Sequence, residues 1–499
     1  MNLRNKNLIK PPCLNGKSIE HKRQELKDYF LQTWAQYESL FSLINDSKAY
    51  YLRPEPLRHP LIFYFGHTAT FYINKLRLGK FIDQRLNGKL EAICAVGVDE
   101  MSWDDLNSEH YDWPSVNEVI EYRQQVSVLI EKLIDTMELT LPIKQNSLAW
   151  VILMGCEHER IHIETSSVIM RMLPLSYLTA NEDWPTCDET GVAPENELVK
   201  VDGQKIVFGK PESDDTFGWD NEYGYDSIAL NNFETSKYLV SNQEYIAFVK
   251  ANGYQQIQYW TDEGQQWLAF THATMPRFWC EKVDDSGNKV YYQRNLLNEI
   301  PLPFNWPVEV NYLEAKAFCN WKNKSYREGN IRLPTESEWL CMRNQLKGDL
   351  IDWQSVPGNL DLALYASSCP VDKFLQGDEL FDIVGNVWQW TESSIDGFQG
   401  FEVHPLYDDF STPTFDGKHN LIKGGSWIST GNEAVKHSRY AFRRHFFQHA
   451  GFRYVKSDHQ SLPNLASNHY ETNVDICRQL HAHYGEIRSA MPLTAKNYS

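Results

Sequence analysis

The chain has 499 residues, of which 42% are hydrophobic, and its formal net charge is -18. This length predicts roughly two to four domains, and the apolar fraction is sufficient to build their cores. An acidic chain is a poor partner for nucleic acid or an anionic membrane, because phosphate groups attract basic surfaces. We therefore expect neither of these partners.

The nine cysteines are scattered along the chain, and no C-x-x-C pair occurs. This usage is typical of reduced thiols rather than of a disulfide framework. The first residues lack the apolar core of a signal peptide, and the longest apolar run, residues 148–156, is too short to span a bilayer. We expect a soluble, cytoplasmic protein.

The first third of the chain has helical periodicity in four segments, namely residues 20–44, 59–78, 115–137 and 146–172. Ser115, followed by Glu118, forms a capping box for the third segment. Gly79 and Pro174 are stop signals after the second and fourth. Four long helices predict a bundle whose core can hold a site.

Pro, Gly, Asp and Glu are frequent in residues 175–231, which we interpret as a linker leading into a second domain. Beyond it, aromatic residues become frequent and short β-like runs alternate with short helices. The last residues are polar, with one helix predicted near residues 471–483. Three of the earlier short helices begin with capping boxes: Ser241 with Glu244, Asn311 with Glu314, and Thr335 with Glu338.

Two histidines in the fourth predicted helix have the spacing of metal ligands. His158 and His162 lie four residues apart, so they share one face of that helix. His67 lies in the otherwise apolar second helix. Within an antiparallel bundle it can face the pair and provide a third imidazole.

Three interpretations compete for His158 and His162. In the first, they are surface histidines that bind no metal. In the second, they belong to the H-E-x-x-H motif of a zinc protease with Glu159 as general base. In the third, they are two members of a three-histidine metal site. A protease normally has its third ligand downstream, but residues 163–168 contain neither His nor Gly, and Glu164 points to another face of the helix. The three-histidine site is therefore favoured. Imidazoles suit Fe, Cu, Ni or Zn, so the spacing does not choose the metal.

Several segments of the second half combine Gly, Trp and charged residues: FGWDNE at 217–222, RLPTESEW at 332–339, GNVWQW at 385–390, KGGSW at 423–427 and AGFR at 450–453. Together they resemble the formylglycine-generating-enzyme fold, a C-type-lectin-like domain. The helical part with its three histidines resembles a DinB-like bundle. This pairing is typical of the sulfoxide synthases of thiohistidine biosynthesis, which use non-haem iron and O₂.

The resemblance implies an α+β protein with four parts: a DinB-like four-helix bundle over residues 12–174, the linker at 175–231, a formylglycine-generating-enzyme-like domain over 232–456 and a tail at 457–499. Members of the ovothiol branch of this group often carry a C-terminal methyltransferase domain as well. The chain shows no Gly-rich strand-turn-helix that could hold S-adenosylmethionine. We therefore expect no methyl transfer from it.

The resemblance also implies that the three histidines hold Fe(II), where a thiol and an imidazole substrate meet O₂. Tyr407 resembles the active-site tyrosine of the group, a proton or hydrogen-atom donor that favours C–S coupling over simple thiol oxidation. From the sequence, Tyr64 and Tyr440 remain alternatives for the tyrosine that reaches the metal.

Both expected substrates are zwitterions, so their pocket needs partners for a carboxylate and for an ammonium group. Arg439, Arg443 and Arg444 are candidates for the carboxylate, because a planar guanidinium can bind it with two hydrogen bonds. At least one of them is expected to form a structural ion pair instead. Glu164 resembles a substrate-contact position, and Trp388 is a candidate wall of the cleft.

Two branches of the group differ in substrate. Residues 97–105, 404–410, 423–433 and 443–453 resemble the ovothiol branch, which joins L-cysteine to imidazole C5 of L-histidine and gives 5-histidylcysteine sulfoxide. The alternative is the ergothioneine branch, which uses trimethylhistidine, a quaternary ammonium that calls for an aromatic cage. A metal-binding, lectin-like module that binds a ligand without catalysis is the alternative from a different class.

Overall fold

A computed structural model describes residues 10–95, 103, 111–326, 330–346 and 358–457. Its first part contains four long helices and a short one: α1 (Ile19–Phe41), α2 (Leu61–Leu78), α3 (Gly88–Ile93), α4 (Val116–Thr136) and α5 (Leu148–Arg171). The long helices lie within one turn of their predicted limits. The predicted helix at 471–483 and all of the segment 97–105 except Trp103 lie outside the described residues.

Helix α5 is the central helix of the bundle. The Ser147 side chain caps its first turn by accepting a hydrogen bond from the N–H of Trp150, and the helix ends at Arg171, three residues before Pro174. Almost every α5 residue is buried, because α1 and α2 pack against part of its circumference and the second half of the chain covers the rest. Each face of α5 therefore contacts a different partner.

In the residues that the structure describes, the second half contains four α-helices: α6 (Asn242–Lys250), α7 (Asp262–Thr271), α8 (Tyr312–Tyr326) and α9 (Glu336–Arg343). Helices α8 and α9 pack beside strands, and α6 and α7 pack on α8. The side chains of Ser241, Asn311 and Thr335 accept hydrogen bonds from the first turns of α6, α8 and α9, as the capping boxes predicted.

Fifteen short strands alternate with these helices in the described residues. They are β1 (Leu198–Val201), β2 (Lys205–Phe208), β3 (Asp226–Ala229), β4 (Phe233–Ser236), β5 (Trp279–Val283), β6 (Lys289–Arg294), β7 (Glu299–Pro301), β8 (Ile331–Arg332), β9 (Leu375–Gln376), β10 (Leu380–Phe381), β11 (Trp388–Ser394), β12 (His419–Lys423), β13 (Tyr440–Arg443), β14 (Ala450–Gly451) and β15 (Val455–Lys456).

Two four-stranded sheets organise the second half. One has the order β1-β4-β15-β8, and β15 pairs with β4, which brings the beginning and the end of this half together. The other has the order β13-β12-β11-β14, in which Trp388 of β11 lies opposite Ala450 of β14 in a parallel pair. A three-stranded sheet, β5-β6-β7, and the pairs β2-β3 and β9-β10 complete the strand pairing of the described residues.

The segment 175–231, interpreted as a linker leading into the second domain, contains β1, β2 and β3, and β1 is a full member of the first sheet. A helical bundle followed by a sheet-rich part confirms the predicted α+β class. In the described part of the chain, no helix combines the length and the apolarity that crossing a membrane requires.

Candidate metal centre

The three predicted ligands lie together between two helices. The ring of His67 on α2 is 4.9 Å from that of His158 and 4.8 Å from that of His162, and the two α5 rings are 4.5 Å apart, measured between centroids. One possible ligand atom of each lies within 4.8 Å of the others. A single ion could therefore contact all three imidazoles.

The protonation of these imidazoles suits a metal. The Nδ1 atom of His67 lies 2.7 Å from the carbonyl oxygen of Cys94, and a carbonyl can only accept, so Nδ1 carries the proton and Nε2 keeps its lone pair. Burial, reinforced by His162 and His67, holds the pKa of His158 well below its usual value. Its Nδ1 is buried without a hydrogen-bond partner among the described residues. Neutral imidazoles of this kind fit a divalent transition metal.

Aromatic rings enclose the three histidines. Phe71, one turn after His67, stacks on His158 with 3.7 Å between centroids and 8° between planes. Phe63, one turn before His67, stacks on the ring of His67 at 4.9 Å. Both phenylalanines belong to α2, so this helix supplies one of the three candidate ligands and stacks on the rings of two.

Tyr407 is an aromatic ring that the second half of the chain adds to this group. Its ring centroid is 4.9 Å from that of Phe71 and 6.0 Å from that of His158. Of the two alternatives, Tyr64 of α2 is 5.9 Å from His162, also between centroids. The hydroxyl of Tyr440 accepts a hydrogen bond from the indole N–H of Trp219 instead.

Glu159 is turned away from the three histidines. Its carboxylate accepts hydrogen bonds from the guanidinium of Arg123 at 2.9 Å and from the hydroxyl of Thr68 at 3.2 Å, and its side chain is fully buried. A carboxylate held in this ion pair cannot serve as the general base of a zinc protease. The structure therefore disfavours the protease interpretation.

Glu164 and Trp388 are in contact with each other, on a different face of α5 from His162. The Oε2 atom of Glu164 accepts hydrogen bonds from the indole N–H of Trp388 at 2.8 Å and from the hydroxyls of Ser429 at 3.1 Å and Ser426 at 3.2 Å. Burial raises the pKa of Glu164 to about 7, against the effect of these bonds. In this structure Glu164 joins the bundle to the second half of the chain.

Two of the three candidate arginines are used inside the protein. Arg439 donates to both carboxylate oxygens of Glu336, at 3.0 and 3.2 Å, and to two backbone carbonyls. Arg444 donates to Glu263 at 3.0 Å. Both arginines thus form ion pairs within the protein, and Arg444 also donates to Asn420 and to the carbonyl of Gly417. Their binding of substrate carboxylates stays a prediction that these contacts disfavour. Arg443, at the end of β13, remains a candidate.

A row of polar residues joins α5 to the second half, and this junction was not predicted from the sequence. Glu157, Glu164 and Arg171 are spaced by seven residues, which places them on one face of the helix, and this spacing is the signal that could have revealed them. Each binds a group from the second half: Glu157 the N–H of Asn432 at 3.0 Å, Glu164 the indole of Trp388 at 2.8 Å and Arg171 the carboxylate of Glu309 at 2.9 Å.

Residues 185–458 match the sequence profile of the sulfatase-modifying factor enzyme 1-like domain, and this stretch is more than half of the chain. The chain belongs to this family. Residues 29–166 match the DinB superfamily, so the three histidines of this family member lie in its DinB-like part.

The protein is also similar to three curated relatives. It is 25% identical over 441 residues to Ergothioneine biosynthesis protein 1 of Schizosaccharomyces pombe, which is 80% of this chain and 51% of that protein. It is 27% identical to the Hercynine oxygenase of Mycobacterium tuberculosis, over 44% of this chain and 52% of that one. It is also 27% identical to the Hercynine oxygenase of Mycolicibacterium smegmatis, over 59% of this chain and 68% of that protein. The chain thus spans about half the length of the first two.

Proposed function

We propose that this protein is a non-haem Fe(II)- and O₂-dependent oxygenase that joins the sulfur of L-cysteine to an imidazole carbon of a histidine-derived substrate and gives a sulfoxide. The observation that carries this proposal is the group of three converging imidazoles with Tyr407 beside it. The names of the relatives, Hercynine oxygenase and Ergothioneine biosynthesis protein 1, support the same reaction class.

His67, His158 and His162 would hold the iron. When bound, iron would supply positions at which thiol, imidazole and O₂ can react, and its charge would favour the thiolate form of cysteine. The protein itself contributes geometry. Stacking by Phe71 fixes the plane of the His158 ring, and Tyr407 brings a phenol to that ring, where its O–H can supply a proton.

The relatives favour trimethylhistidine, which is hercynine, as the imidazole substrate. A quaternary ammonium binds to faces of aromatic rings, and aromatic rings are abundant beside the histidines. Trp219 stacks on Phe410 at 4.2 Å and contacts Tyr407 at 5.9 Å between centroids. We therefore take hercynine as the first candidate.

Histidine is the second candidate, and one contact favours it. The Nζ atom of Lys75 lies 3.9 Å from the centroid of the Tyr407 ring, so this face already carries a cation. Both substrates carry a cationic amine and would be repelled there, but the ammonium of histidine can lose a proton and so remove the repulsion, whereas a quaternary ammonium cannot. The resemblance of residues 404–410 and 443–453 to the ovothiol branch points the same way.

The decisive experiment offers both substrates to one preparation. Protein loaded with Fe(II) under anaerobic conditions is mixed with L-cysteine and O₂ and with either hercynine or histidine, and products are identified by mass spectrometry. We expect O₂ uptake that needs both organic substrates, and a kcat/KM for hercynine at least about tenfold above that for histidine. The reverse preference would assign the ovothiol branch.

The same protein loaded with Zn(II) is the matched control, because zinc binds imidazoles but has no redox chemistry. It should form no coupled product. If the iron-loaded protein also forms none and takes up no O₂ with either substrate, the oxygenase proposal is wrong, and a ligand-binding module becomes the better description.

A further inference from the structure

Lys75 lies on the same face of α2 as the metal-binding histidine. His67, Phe71 and Lys75 are spaced by four residues, so their side chains follow one another along the helix. His67 is a candidate ligand, Phe71 stacks on His158, and Lys75 is the next member of the row. The neighbours of Lys75 therefore belong to the candidate site.

The ammonium group of Lys75 faces an aromatic ring. Its Nζ is 3.9 Å from the ring centroid of Tyr407 and 5.2 Å from that of Phe71, and its side chain is 13% exposed. Asp409 provides the nearest carboxylate, at 3.8 Å. A cation over the face of a ring is attracted by the ring quadrupole, more strongly where water is excluded.

Burial disfavours the charged form of Lys75, and neighbouring carboxylates oppose this effect. Burial lowers the pKa of Lys75, and the carboxylates of Asp409 and then Asp408 oppose this effect. Both aspartates belong to the loop that carries Tyr407. The lysine is thus held by the loop, and in return it attaches the loop to α2.

Other rings restrain Tyr407 from its own half of the chain. Phe410 is 5.1 Å away and Trp219 is 5.9 Å away, between centroids. These contacts fix the ring within the second half, but only groups of the bundle can fix it relative to the histidines. Among the described contacts, Phe71 and Lys75 do so from α2.

We propose that Lys75 is a positioning residue that holds the ring of Tyr407 beside His158. This rests on the proposed function in so far as Tyr407 takes part in the reaction. Without the ammonium group, the loop loses its charge contact with α2, and the ring is no longer held against Phe71. The expected consequence is more thiol oxidation relative to C–S coupling.

The position of the ring can be measured without catalysis. Tyr407 of the full chain is replaced by 3-fluorotyrosine, and ¹⁹F NMR spectra are recorded on the diamagnetic Zn(II)-loaded protein. We expect one resonance in the otherwise unchanged protein, and a shifted or split resonance after Lys75→Met, which keeps the length of the stem but removes the charge. Lys75→Arg should restore a single resonance because the guanidinium also binds ring faces.

Lys48→Met is the matched control, because Lys48 is exposed and lies outside the site. It should leave the spectrum unchanged. An unchanged resonance in the Lys75→Met protein would overturn the proposal. Since this measurement needs no turnover, it separates failure of the positioning role from failure of the oxygenase function.

Product ratios provide the second test. In the iron-loaded protein, Lys75→Met should raise the ratio of cysteine sulfinic acid to coupled sulfoxide by about threefold or more, and Lys75→Arg should stay near the unchanged protein. Added to Tyr407→Phe, Lys75→Met should have no further effect, because the ring would have no hydroxyl left to position. Independent, additive effects would contradict the proposed coupling.

Discussion

At the residue scale, the candidate centre depends on the tautomer of His67. Its Nδ1–H donates to the backbone carbonyl of Cys94, so the ring is oriented by a group that no side-chain substitution removes. His158 and His162 lie one turn apart on a helix and need no such guide, since the helix fixes their separation. The fold itself therefore brings the three imidazoles together.

The first prediction concerns metal binding. Replacing His158 with Ala removes one of three imidazoles, and we expect iron affinity to fall by at least about tenfold, because weakening even the support of a ligand has effects of that size. Iron per chain after dialysis measures this. His21→Ala is the control, since that side chain is 73% exposed. Full iron content in the His158 variant would rule out the three-histidine site.

The second prediction concerns Tyr407. Tyr407→Phe keeps the ring that contacts Phe71 and His158 but removes the hydroxyl. We expect relatively more cysteine sulfinic acid and less sulfoxide, because the proton donor for coupling is lost. Quantifying both products by mass spectrometry checks this, with Tyr225→Phe at a 53% exposed position as the control. An unchanged ratio would assign the role to another group.

At the element scale, α5 joins the two halves of the molecule. One face presents His158 and His162 to α2, and another presents Glu157, Glu164 and Arg171 to the second half. A loop of that half comes so close to α5 that a glycine is required, because side-chain atoms of α5 occupy the space of a β-carbon. Helix α5 therefore contacts both α2, through the face of His158 and His162, and the second half of the chain, through the contacts of Glu157, Glu164 and Arg171.

The third prediction tests this close approach at Gly431. Its φ is +60°, and an added β-carbon would lie 2.6 Å from atoms of Arg160 and Glu157. Gly417 has a φ of +70° with nothing within 4 Å of the added carbon, so Gly417→Ala measures backbone strain alone. We expect Gly431→Ala to lower the free energy of unfolding by about 1–3 kcal/mol more than Gly417→Ala does.

Urea unfolding followed by tryptophan fluorescence compares the two glycine variants under the same conditions. Equal destabilisation by both substitutions would show that the loop can move away from α5 without lowering the free energy of unfolding further. In that case the row of contacts along α5 would not determine how the halves are joined.

At the scale of the whole molecule, a buried ion pair links the end of the bundle to the second half. Arg171 at the end of α5 donates to Glu309, and His449 lies within 3.4 Å of the same carboxylate. Burial by itself would raise the pKa of Glu309, but Arg171 and His449 outweigh it and lower the pKa to about 2. Breaking such a pair leaves a buried charge without compensation.

The fourth prediction follows from that pKa. Because the folded value lies below the ordinary value of 4.5, the ionised form contributes stability above pH 4.5, and this contribution is lost as the pH falls towards 2. The full difference is on the order of 3 kcal/mol. Thermal unfolding between pH 6 and 3 measures it.

A double variant, Arg171→Met with Glu309→Gln, removes both charges and is the control for other titrating groups. The midpoint temperature of its thermal unfolding should fall less steeply with decreasing pH than the midpoint temperature of the unchanged protein. Identical slopes would show that the pair does not contribute to acid stability.

The sequence by itself predicted the helical bundle and the three histidines that the fold brings together. Helical periodicity, caps and the spacing of His158 and His162 are local properties, which depend on residues within a few turns. His67 could be included because it was a lone histidine in an apolar helix of a predicted bundle. The motifs at 385–390 and 450–453 likewise indicated the second domain, since they resemble a known fold.

Only the tertiary structure showed which groups the other predicted site residues contact. Arg439 and Tyr407 both resembled site residues. Arg439 pairs instead with Glu336, more than a hundred positions away, whereas Tyr407 lies beside His158 and contacts Phe71 and Lys75 across the junction of the two halves. Such partners are distant in sequence. No periodic pattern in the sequence predicts which residue a charged or aromatic side chain will contact. The contacts of these two residues are therefore decided by the folded structure and not by local sequence.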